Sequence, residues 1–323
     1  MTDTLIVVRD IHFASSLLVA GIVFFDLFVA TPVLRTASHA ESSFRNMAGR
    51  ILWISLALSV VTGMAWLGLL SSRIAAKPLS DVIADGTIWI MLTQTQVGFA
   101  WEIRAVLSGL LAMGLLLRHK TAEGRAAQCL AILVSVLAGT YLGTLAFAGH
   151  GAEGLGGERY VHLAADFMHL NAAGLWLGAL VPFTLLVMHL LRFRDDGSVP
   201  AIAAAGNRFS TLGIVAVAIV LVSGTINASF LVNGAHSLID TTYGRLLLLK
   251  ITLFAAMLCL AGVNRQHLLP KLHDGVAPDQ SLRIIRRLLR HSLAEIGLGL
   301  AIILIVGMLG VMAPANEMTA HTH

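Results

Sequence analysis

Eight long apolar segments constrain the fold of this chain more than any motif does. A bilayer core about 30 Å thick is crossed by about 20 helical residues, and eight segments have that character. Only 12% of the residues are charged, whereas soluble domains carry about 25%. The sequence therefore predicts an all-α integral membrane protein with eight transmembrane helices, at Leu5–Leu34, Ile51–Leu70, Val97–Leu117, Ala127–Ala148, Tyr160–Leu191, Phe209–Val232, Gly244–Val263 and Leu288–Met312.

Several classes of protein are excluded by the same pattern. The continuous apolar segments differ from the alternating strands of an outer-membrane barrel, and two cysteines cannot build a disulfide scaffold. Arg9 and Asp10 precede the first apolar segment, so we expect a first span rather than a cleaved signal peptide. The sequence has no phosphate-binding loop, HExxH or GxSxG motif. We therefore expect no enzymatic activity.

Lysine and arginine are unevenly distributed between the loops, and this asymmetry predicts the orientation. The odd-numbered loops should face the cytoplasm and both termini the outside. The net charge of +4 reflects that bias and does not indicate nucleic-acid binding. The odd-numbered loops contain Arg35, Arg45, Arg50, Arg118, Lys120, Arg125, Arg192, Arg194, Arg208, Arg265, Lys271, Arg283, Arg286, Arg287 and Arg290, whereas the others contain Arg73, Lys77, Arg159 and Arg245.

A short spacing recurs in the first and fifth spans. His12 is followed nine residues later by Gly21, and His169 is followed nine residues later by Gly178. Both spans start on the outside, as a parallel duplication requires. The spacing indicates either two four-helix halves in parallel orientation, residues 1–148 and 159–313, or a coincidence.

Polar residues are concentrated at the start of the fifth span. His162, Asp166 and His169 stand at i, i+4 and i+7 and so share one helical face. His150 lies in the preceding loop, and His12 lies at a similar expected depth. Imidazole nitrogen suits copper, zinc and iron. These five residues are candidate metal ligands, with hydrogen-bonded structural histidines as the alternative.

Other charged residues lie within the spans. Asp26 and Glu295 could form a cation or proton path below the histidines, or they could be protonated acids bonded across helices. Arg104 and Lys250 are expected to pair or to extend their charges to the interface. Trp176 is expected to pack beside the site.

The fifth span resembles a known family. The stretch Asp166–Leu180, DFMHLNAAGLWLGAL, resembles the signature of the CopD family of bacterial copper-resistance proteins, and RDIHFASSLL at Arg9–Leu18 with Pro32 resembles its first span. The resemblance implies copper homeostasis, with copper moved across the bacterial inner membrane and often a periplasmic partner, CopC, here expected as a separate chain. The residues of this sequence that match the family's pattern are His12, Asp166, His169, Trp176 and Gly178.

Alternatives to a copper protein stay open at this stage. The copper could be Cu(I) or Cu(II), and the direction of movement is undetermined. A b-type haem protein could use His12 and His169 as axial ligands, because facing histidines from two spans suit that geometry. A structural or sensory subunit would dock a partner without passing metal.

Overall fold

A computed structural model describes residues 2–34, 38–121, 124–149, 156–193, 197–232, 234–273 and 277–314. Within these ranges the regular structure is helical, and eight helices are long and apolar enough to cross a membrane. The prediction of an all-α bundle with eight spans is confirmed. The spans, numbered one to eight, are Asp3–Leu34, Ser42–Ala75, Gln96–Lys120, Arg125–Ala148, Gly156–Arg192, Ser198–Leu231, Thr242–Leu272 and Pro278–Leu309.

Several spans contain more than one helical segment. The long α-helices are Thr2–Phe25, Ser38–Ala75, Gln96–Lys120, Arg125–Gly143, Gly156–Ala173, Ala179–Phe193, Ser198–Leu231, Thr242–Val263 and Pro278–Leu309. Short α-helices are Thr31–Leu34, Leu79–Ala84, Thr87–Gln94, Gly234–Asp240 and Leu269–His273. Single π-helical segments lie at Asp26–Ala30, Gly174–Gly178 and Asn264–Leu268, and a 3₁₀ turn at Thr144–Ala148.

Spans six and eight begin earlier than their apolar segments do. Their helices start at Ser198 and Pro278, about three turns before the predicted Phe209 and Leu288. Hydropathy detects only the part of a helix that faces lipid, whereas a helix can continue into the aqueous phase. Pro278 stands in the first turn of its helix, where its missing N–H costs no hydrogen bond.

Spans one and five form the centre of the bundle. Their backbones touch where Gly21 meets Gly178, because a Cβ on Gly21 would lie 2.0 Å from the Gly178 carbonyl carbon. Span one also contacts spans two and four, and span five contacts spans six and eight. Each of the two central spans further contacts the last span of the other half. We call spans one to four the first half and spans five to eight the second half.

The two ends of the bundle are marked by different polar contacts. At one end, Arg9 donates to the Gly310 carbonyl at 2.6 Å. We call this the outer end, after the predicted orientation. At the opposite, inner end, Asp26 pairs with Arg45 at 3.1 Å and with Arg118.

An ion pair at the outer end stabilises the connection between spans two and three. Lys77 donates to Asp85 at 2.6 Å, and the backbone N–H and the hydroxyl of Thr87 donate to the same carboxylate. The pKa of Asp85 is lowered to about 2, chiefly by the hydrogen bond from the Lys77 ammonium and secondly by those from Thr87. The pair therefore stays charged at any physiological pH.

Candidate functional site

His12 lies at the centre of the first-half histidine site, which also includes Thr62, Gly63 and Arg104. Arg104 donates to His12 Nε2 at 2.8 Å, and arginine has no acceptor. Nε2 is therefore the acceptor nitrogen, and Nδ1–H points to Thr62 Oγ1 at 3.2 Å. Thr62 Oγ1 donates its own hydrogen bond to the Leu58 carbonyl at 2.7 Å. Both ring nitrogens of His12 are thus engaged by the protein.

Arg104 is buried, so of the two alternatives predicted for it, pairing or extending its charge to the interface, the second is wrong. It is 4% exposed and donates to the Tyr141 carbonyl and to Thr144 Oγ1, each at 2.7 Å. The rings of Trp101 and Tyr141 flank its guanidinium. Span four supplies acceptors inside the bundle, and these offset the cost of burying the charge.

His169 lies at the centre of the second-half histidine site, which also includes Asp166, Ser223, Gly224, Asn227 and Lys250. His169 Nδ1 lies 3.0 Å from Ser223 Oγ. Ser223 donates its only proton to the Ile219 carbonyl at 2.6 Å, so Nδ1–H is the donor to Ser223. The lone pair of His169 is therefore on Nε2, where no protein hydrogen bond is found among the described residues. This is the tautomer in which imidazole binds a metal.

Two oxygen-bearing side chains lie one turn closer to the outer end. Asn227 donates to Asp166 Oδ1 at 2.7 Å. The Asn227 Oδ1 atom is buried and has no hydrogen-bond partner in the described part of the chain. A buried acceptor without a donor is costly, and a cation would satisfy it.

The structure separates the five predicted ligands into two groups. His162, Asp166 and His169 all contact span six, where His162 stacks on Phe230 with ring centroids 4.9 Å apart. His12 instead contacts spans two and three. His150 lies outside the described residues. Among those described, no three His, Cys, Asp or Glu side chains converge as a metal site.

The hydroxyl partners of both histidines lie far away in the sequence. Thr62-Gly63 follows His12 by about fifty residues, and Ser223-Gly224 follows His169 at a similar distance. A Cβ on Gly63 would lie 3.1 Å from His12 Cε1, and a Cβ on Gly224 would lie 3.4 Å from His169 Cε1. The repeated hydroxyl-glycine pair was the signal that could have identified these residues from sequence.

A buried polar cluster lies in the inner half of spans seven and eight. Glu295 is 2% exposed and accepts from Asn264 Nδ2 at 2.9 Å, while Asn264 Oδ1 lies 2.7 Å from His291 Nδ1. Asn264 and Glu295 line a cavity of about 370 Å³, which Trp176 also lines. Trp176 is buried and packs edge-on against Phe254.

Two family models match different parts of this chain. Residues 203–309 match the family described as Copper resistance protein D. Residues 1–160 match the family described as Copper resistance protein D-like, N-terminal domain. No solved structure matches.

Three curated relatives cover most of this chain. Copper resistance protein D of Pseudomonas syringae pv. tomato is 32% identical over 270 residues, which are 80% of this chain and 84% of the relative. Inner membrane protein YebZ of Escherichia coli (strain K12) is 29% identical over 279 residues, 85% of this chain and 89% of the relative. Copper transport protein CutJ of Bacillus subtilis (strain 168) is 28% identical over 256 residues, 79% of this chain but only 45% of the relative.

Proposed function

This chain belongs to the copper resistance protein D family, and from that premise we propose that it binds copper at the second-half histidine site and moves it across the membrane. Copper is the cargo in this proposal. The observation that carries it is the tautomer of His169, whose Nδ1–H is fixed by Ser223 so that Nε2 presents its lone pair.

Two oxygen donors complete the proposed ligand set. Asp166 stands at i, i+3 from His169 on the same helical face, and Asn227 Oδ1 lies beside Asp166 without a donor of its own. His162, one further turn outward, is the proposed entry ligand, and His150 of the preceding loop is a second one. One nitrogen and several oxygens without sulfur favour Cu(II) over Cu(I).

The first-half histidine site is unsuited to the same task. Arg104 already donates to His12 Nε2, and the Arg9 guanidinium lies over the Trp66 ring at 5.1 Å. The Arg104 guanidinium at His12 would repel an incoming cation. We therefore propose that His12 has a structural role and that copper binds in the second half.

The inner part of the proposed path follows the second half. From His169 the path passes Trp176 into the cavity that Asn264 and Glu295 line, and these two residues would receive the cation next. Asp26 is held by two arginines, so we leave it out of the path.

The orientation and partner follow from the same proposal. The outer end faces the periplasm of a bacterial inner membrane, with both termini there, because the odd-numbered loops carry most of the basic residues. A separate periplasmic copper-binding protein of the CopC type would deliver copper to His162. The two halves, 1–148 and 159–313, would be copies of one four-helix unit.

The test is metal analysis of detergent-purified protein with Cu(II) added, comparing wild type, His169→Ala and His12→Ala. We expect wild type and His12→Ala to retain copper in about a one-to-one ratio with the chain, and His169→Ala to lose it. Equal copper in wild type and His169→Ala would overturn the assignment. Size-exclusion profiles establish that each variant is folded, and His267→Ala, an exposed inner-end histidine, controls for loose binding.

The haem alternative is decided on the same samples by an absorption spectrum. For His12 to be an axial haem ligand, one of its ring nitrogens would have to give up its hydrogen bond with Thr62 or Arg104. A Soret band with stoichiometric iron would replace the copper proposal by a haem protein.

A further inference from the structure

We propose that the Lys250 ammonium competes with copper for the second-half histidine site, at the position where Arg104 closes the first-half site. Its positive charge would oppose copper at Asp166 and His169, and the side chain would move aside when copper binds. This inference rests on the proposed function and names the residue that sets how tightly the site holds its cargo.

The starts of spans three and seven are built in the same way. Thr95 accepts from the Gly98 N–H at 3.0 Å and donates to the Met91 carbonyl at 2.6 Å. Thr241 accepts from the Gly244 N–H at 2.9 Å and donates to the Ser237 carbonyl at 2.6 Å. Each helix therefore begins directly after its capping threonine, and the two threonines make the same pair of hydrogen bonds.

Arg104 and Lys250 stand at the same distance from these caps. Each lies nine residues after its capping threonine, and a helix rises about 1.5 Å per residue. The two cations therefore lie at the same height above their capping threonines and on the same helical face relative to them. Since Arg104 reaches His12, Lys250 is placed to reach His169.

The histidines themselves are held alike. Each Nδ1 bonds to a hydroxyl, Thr62 or Ser223, and each hydroxyl donates to the carbonyl one turn earlier. The contact between spans one and two thus recurs between spans five and six.

The two cations differ in how firmly they are held. Arg104 has acceptors on His12, Tyr141 and Thr144, whereas Lys250 has no hydrogen-bond partner among the described residues. A guanidinium is a rigid fork, but an ammonium is a point charge on a flexible stem. Arg104 therefore locks its site, and Lys250 can withdraw from its own.

The residues one turn outward carry the opposite chemistry in the two sites. Arg9 and Trp66 form a cation–π pair in the first half. At the matched positions three residues before His169 and four after Ser223 stand Asp166 and Asn227. Asp166 accepts a hydrogen bond from Asn227, so the second-half site carries a carboxylate and an amide where the first-half site carries a guanidinium and an indole.

The test is the Cu(II) affinity of purified wild type, Lys250→Arg and Lys250→Met, measured by competition with a chelator of known affinity. We expect Lys250→Arg to bind at least about tenfold more weakly, because its guanidinium would lock onto His169 and Asp166 as Arg104 locks His12. We expect Lys250→Met to bind at least about tenfold more tightly, because a neighbouring positive charge is removed. Arg245→Gln, an exposed change on the same helix, should match wild type.

The possible failures are distinguishable. Copper binding by wild type that needs His169, with all Lys250 variants within about twofold of wild type, would overturn this inference and leave the proposed function standing. Weaker binding by Lys250→Met would also overturn it, because lysine would then assist the metal. Absence of copper binding in wild type would overturn both the proposed function and this inference. Lys250→Arg keeps size and charge, so it tests the inference even where Lys250→Met does not fold.

Discussion

The first-half and second-half histidine sites share one scaffold but carry opposite chemistry. In the first half, Trp66 and Arg104 contact His12, and Arg9 lies over Trp66. In the second half, the matched positions around His169 hold Asp166, Asn227 and Lys250. The hydroxyl that orients each ring is retained in both. A shared scaffold thus supports a closed site in one half and a candidate ligand site in the other.

The two histidines differ in how many of their ring nitrogens the described residues engage. In the first-half site both nitrogens of His12 have partners, although Arg104 Nε and both Asp10 carboxylate oxygens are buried without a hydrogen-bond partner in the described part of the chain. In the second-half site Asn227 Oδ1 is an orphaned acceptor, and His169 Nε2 has a lone pair. Incomplete networks are costly unless a ligand completes them. The comparison therefore predicts that the first half contributes stability and the second contributes binding.

The largest expected effect comes from separating the two halves. In Gly21→Ala, the added Cβ would lie 2.0 Å from the Gly178 carbonyl carbon, and backbone on both sides cannot move aside. We expect a loss of about 3 kcal/mol or more, seen as a lower melting temperature of the detergent-purified protein. Gly109→Ala on span three has open space around it and should not destabilise. An unchanged melting temperature for Gly21→Ala would show that the halves do not meet there.

The second-largest expected effect distinguishes Arg104 from Lys250. Arg104→Met leaves the acceptors on His12, Tyr141 and Thr144 without their donor, and we expect a loss of about 2–4 kcal/mol. Lys250→Met removes no comparable network and should cost less than about 1 kcal/mol. Thermal unfolding of the two variants side by side measures the difference. Equal losses would contradict the division into a stabilising half and a binding half.

The fold could be predicted from the sequence more completely than the sites could. Eight spans follow from hydropathy alone, because lipid imposes length and composition on each helix. The partners of His12 could not be predicted in the same way, because Thr62 and Arg104 come from other spans. For Arg104 the sequence left pairing and exposure at the interface as alternatives, because only the packing of span four brings its acceptors inside the bundle.

The smallest expected effect tests whether the two halves share one register. Thr95→Ala and Thr241→Ala each remove a cap that accepts from a backbone N–H three residues later, and each should cost about 1 kcal/mol. Because the caps lie in different halves, the double variant should lose the sum of the two. Melting temperatures of the three variants measure this. If one cap matters and the other does not, the two helix starts are not equivalent, and the placement of Lys250 at the Arg104 position loses one of its two supports. Equal losses would leave the register intact and make the difference between arginine and lysine the property that separates the two sites.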